Sequence, residues 1–107
     1  MSLIIGNVHT IRNFSFGTGK TWAETATITT AEQDVTVPGL EVGDMVIVSK
    51  PTAQAGLGVV GARVSAANTL SITFNNPTVA GITATAEEKW LGTVFKSAQP
   101  VPSNASI

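Results

Sequence analysis

The sequence predicts an all-β chain, an antiparallel sandwich or small barrel of jelly-roll or immunoglobulin-like type, with about seven to eight strands. Three observations lead there. Apolar residues alternate along short runs, as in Asp34-Val35-Thr36-Val37; turn-forming Gly and Pro separate the runs; and no segment sustains the i, i+3, i+4, i+7 spacing of a helix. At 107 residues the chain has room for one domain with one modest core. We place that domain at residues 1–96 and an extended or disordered tail at residues 97–107, where Pro100 and Pro102 oppose regular pairing.

The first expected strand is Val8 to Phe14, and a second, rich in β-branched residues, runs from Trp22 to Thr30. Asp34 to Val37 is the third. Pro38-Gly39-Leu40-Glu41-Val42-Gly43-Asp44 then supplies a turn in which Leu40 and Val42 are expected to plug the core. Met45-Val46-Ile47-Val48 is apolar on both faces and reads as a central strand. After a small-residue loop, Ala53 to Gly58, a hairpin follows. Val60, Ala62 and Val64 alternate on one arm, Leu70, Ile72 and Phe74 on the other, and Ala66-Ala67-Asn68 connects them. Asn75-Asn76-Pro77 ends the second arm, and Trp90 to Lys96 forms the last strand.

Composition narrows the function. Only 12% of residues are charged while 43% are hydrophobic, against the 25–35% charge usual for a freely soluble surface. Such a surface suits a protein covered by copies of itself or by a larger partner. The formal net charge is −1, and Lys20, Lys50, Arg63, Lys89 and Lys96 stand singly, which argues against nucleic acid as a partner. The absence of cysteine removes disulfides and thiolate chemistry. The apolar run at Leu3-Ile4-Ile5 is too short for a signal segment, and no run approaches a membrane span, so a chain kept in solution is expected.

Phe16-Gly17-Thr18-Gly19-Lys20-Thr21 carries the closing G-K-T of a phosphate-binding loop, but the first glycine of that motif would fall on Phe14 and a strand-forming run follows it. The stretch reads as a glycine-rich turn. His9 is the only histidine, and an imidazole in an alternating strand is a poor general base without a partner. Glu32 with Asp34, Glu41 with Asp44, and Glu87 with Glu88 are carboxylate pairs at turns or strand ends; Glu41 and Asp44 are the best placed to fold around a cation. Trp22 and Trp90 are expected as core anchors; exposed, they would suit a carbohydrate-binding module. No catalytic, cofactor-binding or metal residue is assigned.

The run DVTVPGLEVGDMVIVSKP, followed by AGLGVVGARVSAANTLSITFNNPT, resembles a set of small tailed-bacteriophage structural proteins of the head decoration, or cement, type. The likeness is close from Asp34 to Thr78 and looser to Phe95. It implies a non-enzymatic virion protein made in the bacterial host cytoplasm. As a homotrimer it would sit on the outer capsid surface and clamp neighbouring major capsid protein subunits, with no cofactor, nucleic acid or membrane involved. On that reading Leu3, Ile4 and Ile5 at one end, Pro100, Val101 and Pro102 at the other, and Arg63 within the distinctive stretch are the candidate capsid or subunit contacts. A tail, fibre or adaptor component of the virion is the alternative within the same class.

Overall fold

The computed structural model describes residues 8–97, with side chains from Thr10 to Lys96. Among the described residues there are eight strands and no helix: β1 (Val8–Phe16), β2 (Glu24–Thr25), β3 (Thr29–Thr36), β4 (Met45–Ser49), β5 (Gly58–Ala66), β6 (Thr69–Asn76), β7 (Ile82–Thr83) and β8 (Trp90–Ser97). They form two three-stranded sheets, β1-β8-β4 and β3-β6-β5, and a two-stranded ribbon, β2-β7. Every pairing is antiparallel.

The core lies where the inner faces of the two larger sheets meet. Phe16, Trp90 and Val94 come from the first sheet and Val64, Leu70, Ile72 and Phe74 from the second; Trp22, Val37, Leu40 and Ala84 enter from connecting segments. Trp22 lies 5.4 Å from both Trp90 and Phe74, ring centre to ring centre, with Phe74 and Trp90 edge to face at 5.9 Å. Neither buried indole N–H has an acceptor among the described groups. An unmet N–H costs about 1–3 kcal/mol, comparable with the gain from burying a large apolar side chain, so the cluster stabilises the fold less than its size suggests.

Polar side chains pin the connections. Asn76 is fully buried. Its amide donates to the carbonyls of Thr25 and Ala80, and its oxygen accepts from the Thr78 N–H and hydroxyl. The Asn-Pro-Thr of the distinctive stretch is thus a turn clasp. Asn68, at φ 60° in the two-residue connection of the β5–β6 hairpin, accepts from the Gly39 N–H while its backbone N–H donates to the Leu40 carbonyl, locking Leu40 into the core. Gly92 faces the Phe14 ring so closely that a Cβ would sit 2.5 Å from it; only glycine lets β8 pass beneath that ring.

Several expectations are corrected. The run from Trp22 to Thr30 holds β2 and only the start of β3, which continues through Thr36 and takes in most of the strand expected from Asp34; the break before β3 falls at Ile28, φ 47°, a left-handed conformation that strains a β-branched residue by about 1–3 kcal/mol. Val42 is exposed instead of plugging the core, while Leu40 is buried as expected. A bulge between Val59 and Gly61 turns Val60 outward and packs Val59 against the core. The Ala53–Gly58 segment contains a bridge between Gln54 and Leu57. Most consequentially, β4 is an edge strand: Val46 and Val48 pack inward, whereas Met45 and Ile47 face out.

Candidate interaction surface

Register places three rows of side chains on the outer face of the β1-β8-β4 sheet. They are Ile11, Phe95 and Met45; Asn13, Thr93 and Ile47; and Ser15, Leu91 and Ser49. None is charged. Ile11 is 65% exposed, Met45 71%, Ile47 65% and Leu91 58%, and the polar pair in the middle row is satisfied internally, the Thr93 hydroxyl donating to Asn13 at 2.8 Å. A depression of about 320 Å³ lies between Ile47 and Leu91, bordered by Asn13 and Thr93. Five of the nine residues are apolar, which sets this face apart from the rest of the described surface.

Both chain flanks leave beside this face. Val8 at the start of β1 opposes Ser97 at the end of β8, one step beyond the Ile11–Phe95–Met45 row. Leu3, Ile4, Ile5, Pro100, Val101 and Pro102, expected as contacts, lie outside the described residues.

The outer face of the β3-β6-β5 sheet is polar and internally cross-linked. Arg63 on β5 reaches over β6 to Glu32 on β3, donating from Nε at 2.7 Å and from the other guanidinium arm at 2.9 Å. This pair holds the Glu32 carboxyl below the usual carboxylate range. Beside it, the Ser71 hydroxyl donates to Asp34 and shares a 2.7 Å hydrogen bond with Ser65, and Ser71 is fully buried. Arg63, expected as a contact, is thus paired within its own sheet, with its side chain 65% exposed.

Other candidate groups are likewise occupied. Asp44 accepts from the Glu41 N–H at 2.9 Å and from the Lys96 ammonium, which also donates to the Gly39 carbonyl; the Asp44 carboxylate is thus paired with a lysine. Lys50 donates to Glu88 at 2.8 Å and to Thr52, whose hydroxyl bonds the second Glu88 oxygen. These side chains are 9% and 11% exposed. Hydrogen bonds from Lys50 and then Thr52 lower the Glu88 carboxyl from its ordinary range. No group of three His, Cys, Asp or Glu is gathered for a metal among the described residues.

The glycine-rich turn borders a cleft of about 790 Å³, lined by residues 15–20, 34–38 and Thr69. Its amides do not form a free cradle. The Lys20 N–H closes back on the Gly17 carbonyl and the Lys20 carbonyl accepts from Glu87, while the ammonium sits 5.3 Å over the Trp22 ring. No helix follows, so the phosphate-loop reading fails in structure as in spacing. A Cβ on Gly17, at φ 93°, would meet the Glu88 carbonyl at 2.7 Å, which ties the glycine to turn geometry. Trp22 and Trp90, 3% and 0% exposed, offer no ring face to a sugar. The His9 side chain lies outside the described residues.

Comparison with protein-family models, with curated proteins and with solved structures gave no match. Sequence reading missed Ile11, Met45, Ile47 and Leu91 as a surface. The signal was present in the doubly apolar β4 run; its second face was assigned to burial within the domain, whereas it lies on the outside.

Proposed function

We propose that this chain is a non-enzymatic head decoration protein of a tailed bacteriophage, carried on the outer capsid surface. There it strengthens contacts between major capsid protein subunits. The observation that carries this reading is the uncharged apolar face of the β1-β8-β4 sheet, bordered by the point where both chain flanks leave. The resemblance of residues 34–78 supports it from the sequence side. A cement protein works by burying surface across several subunit boundaries at once, each further contact forming at high effective concentration once the first is made. The apolar face supplies such contacts on one side of a rigid sandwich. Trimers would multiply them at a threefold junction.

The test is co-sedimentation of purified protein with heads of the encoding phage from which this protein has been stripped. Saturable binding that raises the heads' resistance to heat or dilution supports the reading. Binding to tails and not heads would replace it with a tail or adaptor role, and binding to neither would overturn it.

A further inference from the structure

The two large sheets close on one side of the sandwich and part on the other. β4 lies against β5, whereas β1 and β3, the remaining edge strands, border a gap. Its wide part is the cleft of about 790 Å³ between residues 15–20 and 34–38, a volume within the range of about 300–1,000 Å³ for sites that bury a ligand. Val37 and Pro38 carry it on into a hollow of about 70 Å³ beside Arg12. Edge strands offer backbone N–H and C=O groups without partners. At Gln33 the β3 edge is bridged from within the chain: the side-chain amide donates to the Ala23 carbonyl and accepts from the Ala23 N–H, both at 2.8 Å, the two-way exchange that paired strands make. Past Gln33 no hydrogen bond joins residues 34–38 to residues 11–16 among the described residues.

Charge says what fits the gap. Arg12 stands at one end of it and Lys20 at the other. Neither has an acidic partner among the described residues, where the ion pairs are Lys50 with Glu88, Arg63 with Glu32 and Lys96 with Asp44. Asp34 is the only carboxylate among the described residues of the walls; the Ser71 hydroxyl engages it, and the Arg63 charge lies nearby. We infer that the gap takes an extended acidic segment of a partner protein, added as a strand along β1, with carboxylates about four residues apart meeting Arg12 and Lys20. From Arg12 to Phe16, where the turn that carries Lys20 begins, β1 advances about 13 Å. Residues four apart on a guest strand share one face and that same spacing. In strand addition the main-chain bonds supply affinity and the side chains specificity. Ile11, Met45, Ile47 and Leu91 line no part of the gap, so it is a surface distinct from the apolar face.

The inference does not rest on the virion reading and is tested on purified protein with no heads present, so the two can fail separately. The probe is a blocked heptapeptide, TEVTVET. Binding is followed by backbone amide shifts and by tryptophan emission, which changes when a carboxylate draws the Lys20 ammonium from the Trp22 ring. Saturable binding with Kd below about 1 mM is expected, with shifts at Ser15, Val35 and Thr36 and none at Ile47 or Leu91. Arg12→Gln and Lys20→Gln should each weaken binding about threefold, as loss of an exposed ion pair does, and the double variant about tenfold; circular dichroism checks that each variant is folded. Two further peptides separate the causes. TKVTVKT should not bind, and TEVPVET, which keeps both charges but lacks a central N–H, should bind at least about tenfold more weakly. No saturation by about 1 mM overturns the inference, as do shifts confined to the apolar face, unchanged affinity in the double variant or binding of the lysine peptide. Equal binding of the proline peptide also overturns it, leaving attraction between charges with no added strand.

Discussion

The outer faces of the two large sheets are built from the same pleat and finished differently. On β3-β6-β5, Thr30, Glu32, Asp34, Ser71, Thr73 and Arg63 share one surface, and Arg63 with Glu32 and Ser71 with Asp34 and Ser65 bond across the strands. On β1-β8-β4 the equivalent positions hold Ile11, Met45, Ile47, Leu91 and Phe95, and one hydroxyl-to-amide bond between Thr93 and Asn13 is the cross-link recorded there. The polar face satisfies its own polar groups across the strands, with Val60 exposed beside them. The apolar face leaves large hydrocarbon side chains in water, each able to contribute about 1.5–3 kcal/mol if covered. Low overall charge is thus concentrated on one side of the sandwich.

The comparison breaks first, and hardest, at Ile47. Ile47→Lys places an ammonium in the surface to be covered and should weaken binding to heads at least about 100-fold, equal to about 2.7 kcal/mol, while leaving the thermal midpoint nearly unchanged. Thr73→Lys on the opposite face should leave binding intact. Equal losses from both would erase the distinction between the faces. Next, Ser71→Ala should destabilise the fold by about 1–3 kcal/mol in chemical denaturation, because it strands the groups that Ser71 satisfies; no outward position on the apolar face should cost as much when truncated to alanine.

A smaller effect follows from acid. Glu32 and Glu88 titrate below the ordinary carboxylate range because of Arg63 and of Lys50 with Thr52. A depressed folded pKa contributes stability that is full above the unfolded value, about 4.3, and is lost as pH falls through the lower folded one. The thermal midpoint should therefore drop as pH falls below about 4.3, and Glu88→Gln, at the less exposed of the two pairs, should flatten part of that drop. Ile47→Ser should not alter it. Smallest of all, Arg63→Ala should barely move the midpoint at neutral pH, since its ion pair is largely solvated.

Much of the scaffold was legible in the sequence because its signals are local. The β5–β6 hairpin follows from alternation around Ala67-Asn68, the end of β6 from Asn76-Pro77, and the burial of both tryptophans from the scarcity of other large rings. The errors were long-range. Whether β4 is central or at an edge depends on which strand comes to lie beside it, and that strand is β8, over forty residues later. The bulge at Val60 and the left-handed Ile28 are backbone choices made by neighbouring strands, invisible in the alternation that they interrupt. The stretch that carries the resemblance proves to be largely framework: Gly39, Leu40, Asn68 and Asn76 hold turns and core. Of the outward apolar residues of the β1-β8-β4 face, Met45 and Ile47 fall within it, and Ile11, Leu91 and Phe95 lie outside its close part.

The order of strands in the first sheet also sets a timetable. β8, the last strand of the described chain, is the middle one of its sheet, and both β1 and β4 hydrogen-bond only to it there. Two edges therefore wait for a strand made after the other seven described strands, across separations that slow folding through the cost of closing long loops. While the chain is being synthesised the β5–β6 hairpin can already form, but the apolar face has no sheet to display it. The apolar face thus cannot be displayed as one sheet until β8 has paired with both edges, which keeps its hydrocarbon side chains from being gathered into one patch before then.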